Sequence, residues 1–388
     1  LELGLSATSA PSIARQTGRI VSVDALRGFA MFWIIGGDGA MVSLDQILRE
    51  RGSVLSAAGG FLGRQFTHNE WEGVHFYDII FPLFIFITGI SALLSLPGLA
   101  AREGKAKTYV HIVRRSVLLF VLGVVVNGGV SHHWPDVRLL GVLQRIAICY
   151  FFTSFLVLNL ELRGLVASLI AVLAGYWALM TWIPVPDIGA GSFGPDANLA
   201  NWLDANYLPG RLFDETRDPE GILSTLPAIG TCLLGALAGM LLRDVSIPAR
   251  QKTVWLCGAG IVLVAAGHIW AVQFPIIKAI WTSSFVLVAG GYSAILLGMT
   301  HLIIDIWEYK RWAAAFVWIG ANPTILYCVS MVLGFETFAL RFAGGDVSDF
   351  FDSALLPGTG RFAAHVIGLV FAIILARYLY RRKIFLRV

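Results

Sequence analysis

Apolar runs close to 20 residues long recur from one end of this chain to the other. A bilayer core about 30 Å thick needs about 20 apolar residues in a helix. Ten runs meet that length: roughly 24–43, 74–96, 111–128, 139–160, 164–183, 221–242, 254–273, 279–300, 312–334 and 362–380. Lipid supplies no partner for a backbone N–H or C=O, so each run is read as a helix. The alternating pattern of a membrane barrel is absent. Only 14% of the residues are charged and 57% are hydrophobic, against a usual charged share of about 25%. The expected fold is an all-α polytopic transmembrane bundle of about ten spans. Residues 1–18, small and polar, read as a flexible N-terminal segment without a signal-peptide pattern. Residues 19–388 read as a single transmembrane domain, with no internal repeat.

Basic residues orient the bundle. Placing both termini in the cytoplasm puts 18 of the 29 Lys and Arg residues inside and 9 outside, with Arg27 and Arg145 within spans. That bias predicts N-in, C-in. The long connections 44–73, 184–220 and 335–361 then lie outside. The chain is expected to be an integral multi-pass membrane protein. The net charge of +4 tracks the inner face and suits anionic lipid headgroups rather than nucleic acid. Cys149, Cys232, Cys257 and Cys328 all fall within spans without CxxC spacing, so neither a disulfide framework nor a zinc site is expected.

Ionisable residues within spans mark pathways or sites. Asp24 and Arg27, three apart, share a helix face and either anchor the span end or line a site. Asp38 sits among Gly36, Gly37 and Gly39, which suggests a broken helix lining a cavity; the alternative is a span that ends there. Arg145 keeps its proton and needs an anion, either a structural acid or a phosphate. Asn322 precedes Pro323 within an apolar run, a predicted kink; Asn127 ends its span before two glycines. Asp218 reads as the N-cap of the sixth span, with Pro219 and Glu220 in its first turn at the rim of a pocket. Trp281 and Ser283 open the eighth span, Trp281 as a site residue or an aromatic-belt anchor.

The segment Thr67-His68-Asn69-Glu70-Trp71-Glu72-Gly73 brings a histidine and carboxylates to the mouth of the second span, with Asp78 just beyond. Histidine is matched to proton transfer near neutral pH. Glu70, Glu72 or Asp78 would orient its ring. His75 ranks below His68. His111, His132, His133, His268, His301 and His365 are set aside as interfacial or loop residues without carboxylate clusters.

These segments together resemble the heparan-α-glucosaminide N-acetyltransferase family of transmembrane acyltransferases and its bacterial inner-membrane relatives. The matching stretches keep the family's order: 22–28, 68–73, 78–86, 141–145, 218–223, 281–284 and the tail 379–385. The resemblance implies transfer of acetyl from cytoplasmic acetyl-CoA to an amino sugar across the membrane. His68 matches the family's active-site histidine. Asp38 stands where the lysosomal enzyme has an active-site asparagine, a departure in hydrogen-bonding character.

The expected catalytic set is therefore His68, Asp38 and Asn322. His68 acts as general base or as the nucleophile of an acetyl-imidazole, and Asn322 or a backbone N–H serves the oxyanion. Substrate-binding candidates are Trp71, Asp78, Asp218, Glu220, Trp281 and Ser283. Arg145, Arg114, Arg115, Arg381 and Lys383 are candidates for CoA phosphates, beside the ordinary reading of positive-inside anchors. Expected partners are acetyl-CoA, an amino-sugar or glycan acceptor and membrane lipids, with no metal and no nucleic acid; a homo-oligomer is compatible. The rivals are a transporter for an amino sugar or other small solute, an O-acyltransferase on a lipid or glycan, and a scaffold.

Overall fold

The computed structural model describes residues 20–49, 53–129, 131–214 and 216–386; the 1–18 segment lies outside them. Sixteen α-helices run through these residues, and the only strand-like pairings among them are isolated bridges. Eight helices are long and apolar enough to cross a membrane, counting α11 together with the π-helical turn that extends it. They are α4 (Phe76–Glu103), α5 (Lys105–Val126), α6 (Val142–Asn159), α7 (Leu162–Trp182), α9 (Thr225–Arg243), α10 (Ala249–Trp270), α11 (Ser283–Thr300, running on as a π turn to Ile306) and α16 (Thr359–Arg381). α12 (Ala314–Ala321) and α13 (Pro323–Leu333) are long and apolar enough only when taken together, as a broken span or a re-entrant loop, and meet at 81°. The bend falls at Asn322, because Pro323 offers no N–H to continue the ladder of α12.

The first expected span, 24–43, is not one apolar helix. It is α1 (Val21–Phe32), a π-helical turn Trp33–Gly37 and α2 (Asp38–Arg49). Gly36 sits at φ 132° inside the turn, a conformation that side-chain-bearing residues avoid. The helix resumes beyond the break, so the span does not end at Asp38. The segment still runs along α4: Arg27 donates to Ser91, and the Trp33 ring meets Phe76 at 5.5 Å.

The connections read as long loops hold helices of their own. These are α3 (Ser53–Phe66), α8 (Leu199–Tyr207), α14 (Phe335–Ala343) and α15 (Asp346–Ala354). Their period-3.6 apolar faces are too short to register as spans.

Helices α4 and α9 form the centre and are the most buried of the long helices. They pack backbone to backbone: a methyl group at Gly89 would strike Cys232 and Ala236, and one at Gly235 would strike Phe86. Small residues let membrane helices approach this closely where no hydrophobic effect drives them together. Helices α5 and α10 leave Val110, Val117, Val121, Val254, Ile261 and Val262 exposed, the faces that meet lipid. The four cysteines are all free thiols.

Candidate active site

Helix α4 begins with a cap that also builds the site. His75 is its extended N-cap residue, and Asp78, at the third helical position, takes the His75 N–H at 2.9 Å. The same carboxylate oxygen takes the Asn69 N–H at 3.2 Å, and the other bonds His68 Nδ1 at 2.8 Å. Asp78 is fully buried while the His68 side chain is 57% exposed. A buried acid thus fixes one edge of a ring whose other edge faces solvent. Tyr77 stacks on the ring at 4.8 Å, and its hydroxyl lies beside the Asp38 carboxylate. Of the three acids expected to orient His68, Asp78 does so.

Lys278, which the sequence did not single out, completes the cluster. Its Nζ lies 2.8 Å from His68 Nδ1, 3.4 Å from Nε2 and 3.2 Å from Asp78 Oδ1. The backbone explains the meeting of residues 210 positions apart. Glu72 forms an antiparallel bridge with Ile277, and the Gly73 N–H donates to Ile276 O at 2.8 Å. Gly73 holds φ 114° in that turn, which suits glycine. Burial pulls the Lys278 pKa down, and Asp78 opposes that pull.

A second charge cluster lies between the α5–α6 and α8–α9 connections. Arg138 grips Asp218 with two bonds of 2.9 and 2.7 Å and Glu220 with one of 2.6 Å. Burial lowers the Arg138 pKa, but the two acids outweigh it and raise it further. Asp218 also accepts from the Phe213 and Glu220 N–H groups. Helix α9 starts only at Thr225, so Asp218 caps this turn and is not the N-cap of the span. Beside it, burial raises the Asp204 carboxyl to about 6 although it accepts from Ile222 N–H.

Arg145 is buried, with its guanidinium 4.8 Å above the Trp281 ring and Nη2 donating to Ser224 at 2.5 Å. Among the described residues no carboxylate pairs with it directly, and its Nε and Nη1 make no hydrogen bond. Trp281 is also buried, donates to Thr231 Oγ1 and edges against Phe81 at 5.4 Å, so it is a core residue and not a belt anchor. Ser283 bonds the Leu173 carbonyl inside the bundle. Trp71 donates to the Phe193 carbonyl, under the Arg217 guanidinium.

A cavity of about 400 Å³ opens beside α4. Ser95, Ser91, Thr88, Phe84 and Phe81 line it in succession. At 1.5 Å per residue this wall is about 21 Å long. His111 and Arg115 flank its Ser95 end; Met31, Ile34 and Phe81 lie at the other, one helical turn from Asp78. Arg115 sits 4.5 Å over the Tyr150 ring, whereas Arg114 is exposed and does not line this cavity. Ala321 and Pro323 line the cavity around the α12–α13 bend, and Leu386 closes on it. The Leu386 N–H bonds Asn322 Oδ1 at 3.4 Å, while the buried Asn322 Nδ2 has no hydrogen-bond partner among the described residues. Arg381 and Lys383 are exposed just before that closing tail. Arg27 also lines the cavity, paired with Asp24 at 3.0 Å.

The structure therefore draws His68, Asp78, Tyr77 and Asp38 together at one end of α4 and leaves Arg115 along the cavity, with Asn322 buried behind the wall that Ala321 and Pro323 line. Asp218 and Glu220 belong to the Arg138 cluster. Two histidines set aside for lack of carboxylates do have them: His301 bonds Asp305 at 3.0 Å, and His365 lies 3.3 Å from Glu336. The His301–Asp305 pair is four apart on a helical turn, a spacing the sequence carried openly. Among the described residues no cluster of His, Cys, Asp and Glu is arranged to hold a metal.

Comparison with known proteins gives a consistent result. The human heparan-alpha-glucosaminide N-acetyltransferase is 26% identical over 95% of this chain, and the mouse protein 26% identical over 85%. The chain spans 60% and 56% of those two proteins, less than two thirds of either. A family profile described as the catalytic region of heparan-alpha-glucosaminide N-acetyltransferase matches residues 54–268, more than half of the chain and including His68, Asp78, Arg145 and Asp218. This chain belongs to that family.

Proposed function

We propose that this protein is a membrane-embedded N-acetyltransferase that moves acetyl from acetyl-CoA to the amine of a glucosamine-type sugar. One observation carries the proposal: the α4 cavity ends one helical turn from the carboxylate that holds His68. The cavity is narrow, lined by hydroxyls and apolar groups, and flanked at its far end by His111 and Arg115. That suits a slender pantetheine arm with its phosphates held outside by basic groups. By the positive-inside bias, the Arg115 end faces the cytoplasm and the His68 end faces the opposite compartment. Neither substrate then has to cross the membrane.

His68 is the general base. Its exposed edge takes a proton from the sugar ammonium, and the freed nitrogen attacks the thioester carbonyl. The N–C bond forms, the C–S bond breaks, and the CoA sulfur leaves and takes up a proton. Asp78 holds the ring in orientation. The orphaned Asn322 Nδ2 is a donor for an anionic or carbonyl oxygen within the cavity wall.

Purified protein incubated with labelled acetyl-CoA and glucosamine should yield labelled N-acetylglucosamine. Uptake of glucosamine into vesicles without CoA, and no labelled sugar, would replace this reading with the transporter. Label retained on the protein when acceptor is omitted would move His68 from base to nucleophile.

A further inference from the structure

We propose that Phe81 is the residue that limits the transferred acyl group to acetyl, given that the CoA ester lies in the α4 cavity as described above. The stripe that α4 turns toward this cavity changes character along its length. Ser95, Ser91 and Thr88 come first, and Phe84 and Phe81 follow toward the His68 end. Each hydroxyl donates to a carbonyl of its own helix: Ser95 to Ser91 O at 2.7 Å, Ser91 to Ile87 O at 2.8 Å and Thr88 to Phe84 O at 3.0 Å. A hydroxyl that donates inward keeps its lone pairs for an N–H donor, and at Ser91 the Arg27 guanidinium takes one of them. The hydroxyl half suits the amide-bearing arm of CoA, and the aromatic half suits an apolar acyl group.

Phe81 has little room to yield to a longer chain, because the groups behind it are tightly packed. Its ring meets Trp281 edge-on at 5.4 Å. Trp281 is fully buried, donates its indole N–H to Thr231 Oγ1 at 3.1 Å and is backed by the Phe285 ring at 5.4 Å. The buried Arg145 guanidinium lies 4.8 Å over the same indole, and a cation–π contact away from water is stronger than one at a surface. Arg145 thereby braces the wall on which Phe81 rests. Met31, itself buried, and Ile34, carried by the π-helical turn Trp33–Gly37, complete that end of the cavity. Extra methylenes forced into a packed apolar site meet strain rather than space. An acetyl methyl fits against the Phe81 ring, whereas the two further carbons of a butyryl group press into it.

The test uses the full chain in detergent, with acetyl-CoA and butyryl-CoA as probes and glucosamine as acceptor. Wild type should favour acetyl-CoA. Phe81→Ala should raise the butyryl-to-acetyl ratio of kcat/KM about tenfold or more, the discrimination that a methylene commands in an apolar pocket. Phe81→Leu leaves a smaller hole beside Trp281 and should raise the ratio in the same direction by less, so a folding defect in F81A does not remove the test. Phe84→Ala, one turn nearer the arm, should leave the ratio near wild type. The two dissociation constants, measured by calorimetry without acceptor, should follow the same order. No acetyl preference in wild type, or a wild-type ratio retained in both Phe81 variants, overturns the proposal. So does an equal rise in F84A, which is what a cavity widened anywhere gives. If wild type binds neither ester, the proposed function falls and takes this inference with it. If it binds acetyl-CoA but acetylates no glucosamine, the proposed acceptor falls while the affinity ratio still reports on Phe81.

Discussion

The two charge clusters use the same device to different ends. Asp218 and Asp78 are both buried carboxylates that accept two backbone N–H groups, Asp218 with Arg138 as its side-chain partner and Asp78 with His68 and Lys278. Around Asp218 everything is consumed: Arg138 spends its fork on Asp218 and Glu220 and lays its face on Phe213 at 4.8 Å. Around Asp78 one of the two partners, His68, is a ring with more than half its side chain exposed. The first cluster ties two connections together. The second holds a proton-accepting edge toward solvent. The difference teaches that burial of the acid alone does not mark an active site. What marks it is a titratable partner left partly uncommitted.

The largest effect should come from the open cluster. His68→Ala is expected to lower acetyl transfer by about 10²–10⁴-fold with thermal stability unchanged, because the side chain is largely outside the packed core. Kinetics alongside a melting curve check both halves. The closed cluster should answer the other way. Arg138→Met leaves two buried acids unpaired and should cost about 3–5 kcal/mol of stability. The remaining folded protein should keep its turnover; a selective loss of kcat instead would place Arg138 in the site. A third substitution probes the path between compartments. Thr88→Trp would block the cavity wall at mid-length and should raise KM for acetyl-CoA about tenfold, about 1.4 kcal/mol, with KM for glucosamine unchanged.

The smallest expected effect is at Asp204, next to the closed cluster. Its carboxyl is raised to about 6 by burial, so the folded state holds this proton more tightly than the unfolded chain. The stabilisation is complete below the unfolded value near 4 and is lost as pH rises to about 6. Asp204→Asn removes the cost of the charge and should raise stability at pH 7 by about 1–2 kcal/mol. Denaturation at pH 5 and pH 7 should show the wild-type decline flattened in the variant.

Much of this fold is written in local pattern. Apolar runs mark the long helices, Asn322-Pro323 marks the 81° bend, and the Gly36 environment marks the break before Asp38. The His68 segment was equally legible, because His68, Asn69, His75 and Asp78 lie within eleven residues and meet through one helix cap. Lys278 was not, since a backbone bridge between distant connections leaves no periodicity behind. Arg138 was missed for the same reason, and so Asp218 read as a helix cap when its partner lay 80 positions away. Trp281 read as a possible belt residue because composition cannot tell a lipid-facing indole from a buried one. The short helices α3, α8, α14 and α15 carry apolar faces below the length of a span and read as loops.

The most direct measurement of acetyl transfer through the bundle to His68 uses proteoliposomes of uniform orientation. Labelled acetyl-CoA is supplied on the Arg115 side and glucosamine only on the His68 side, with wild type and H68A compared. Labelled N-acetylglucosamine should appear on the His68 side with wild type and fall by about 10²-fold or more with H68A. No labelled product with wild type, or equal product with H68A, would contradict it.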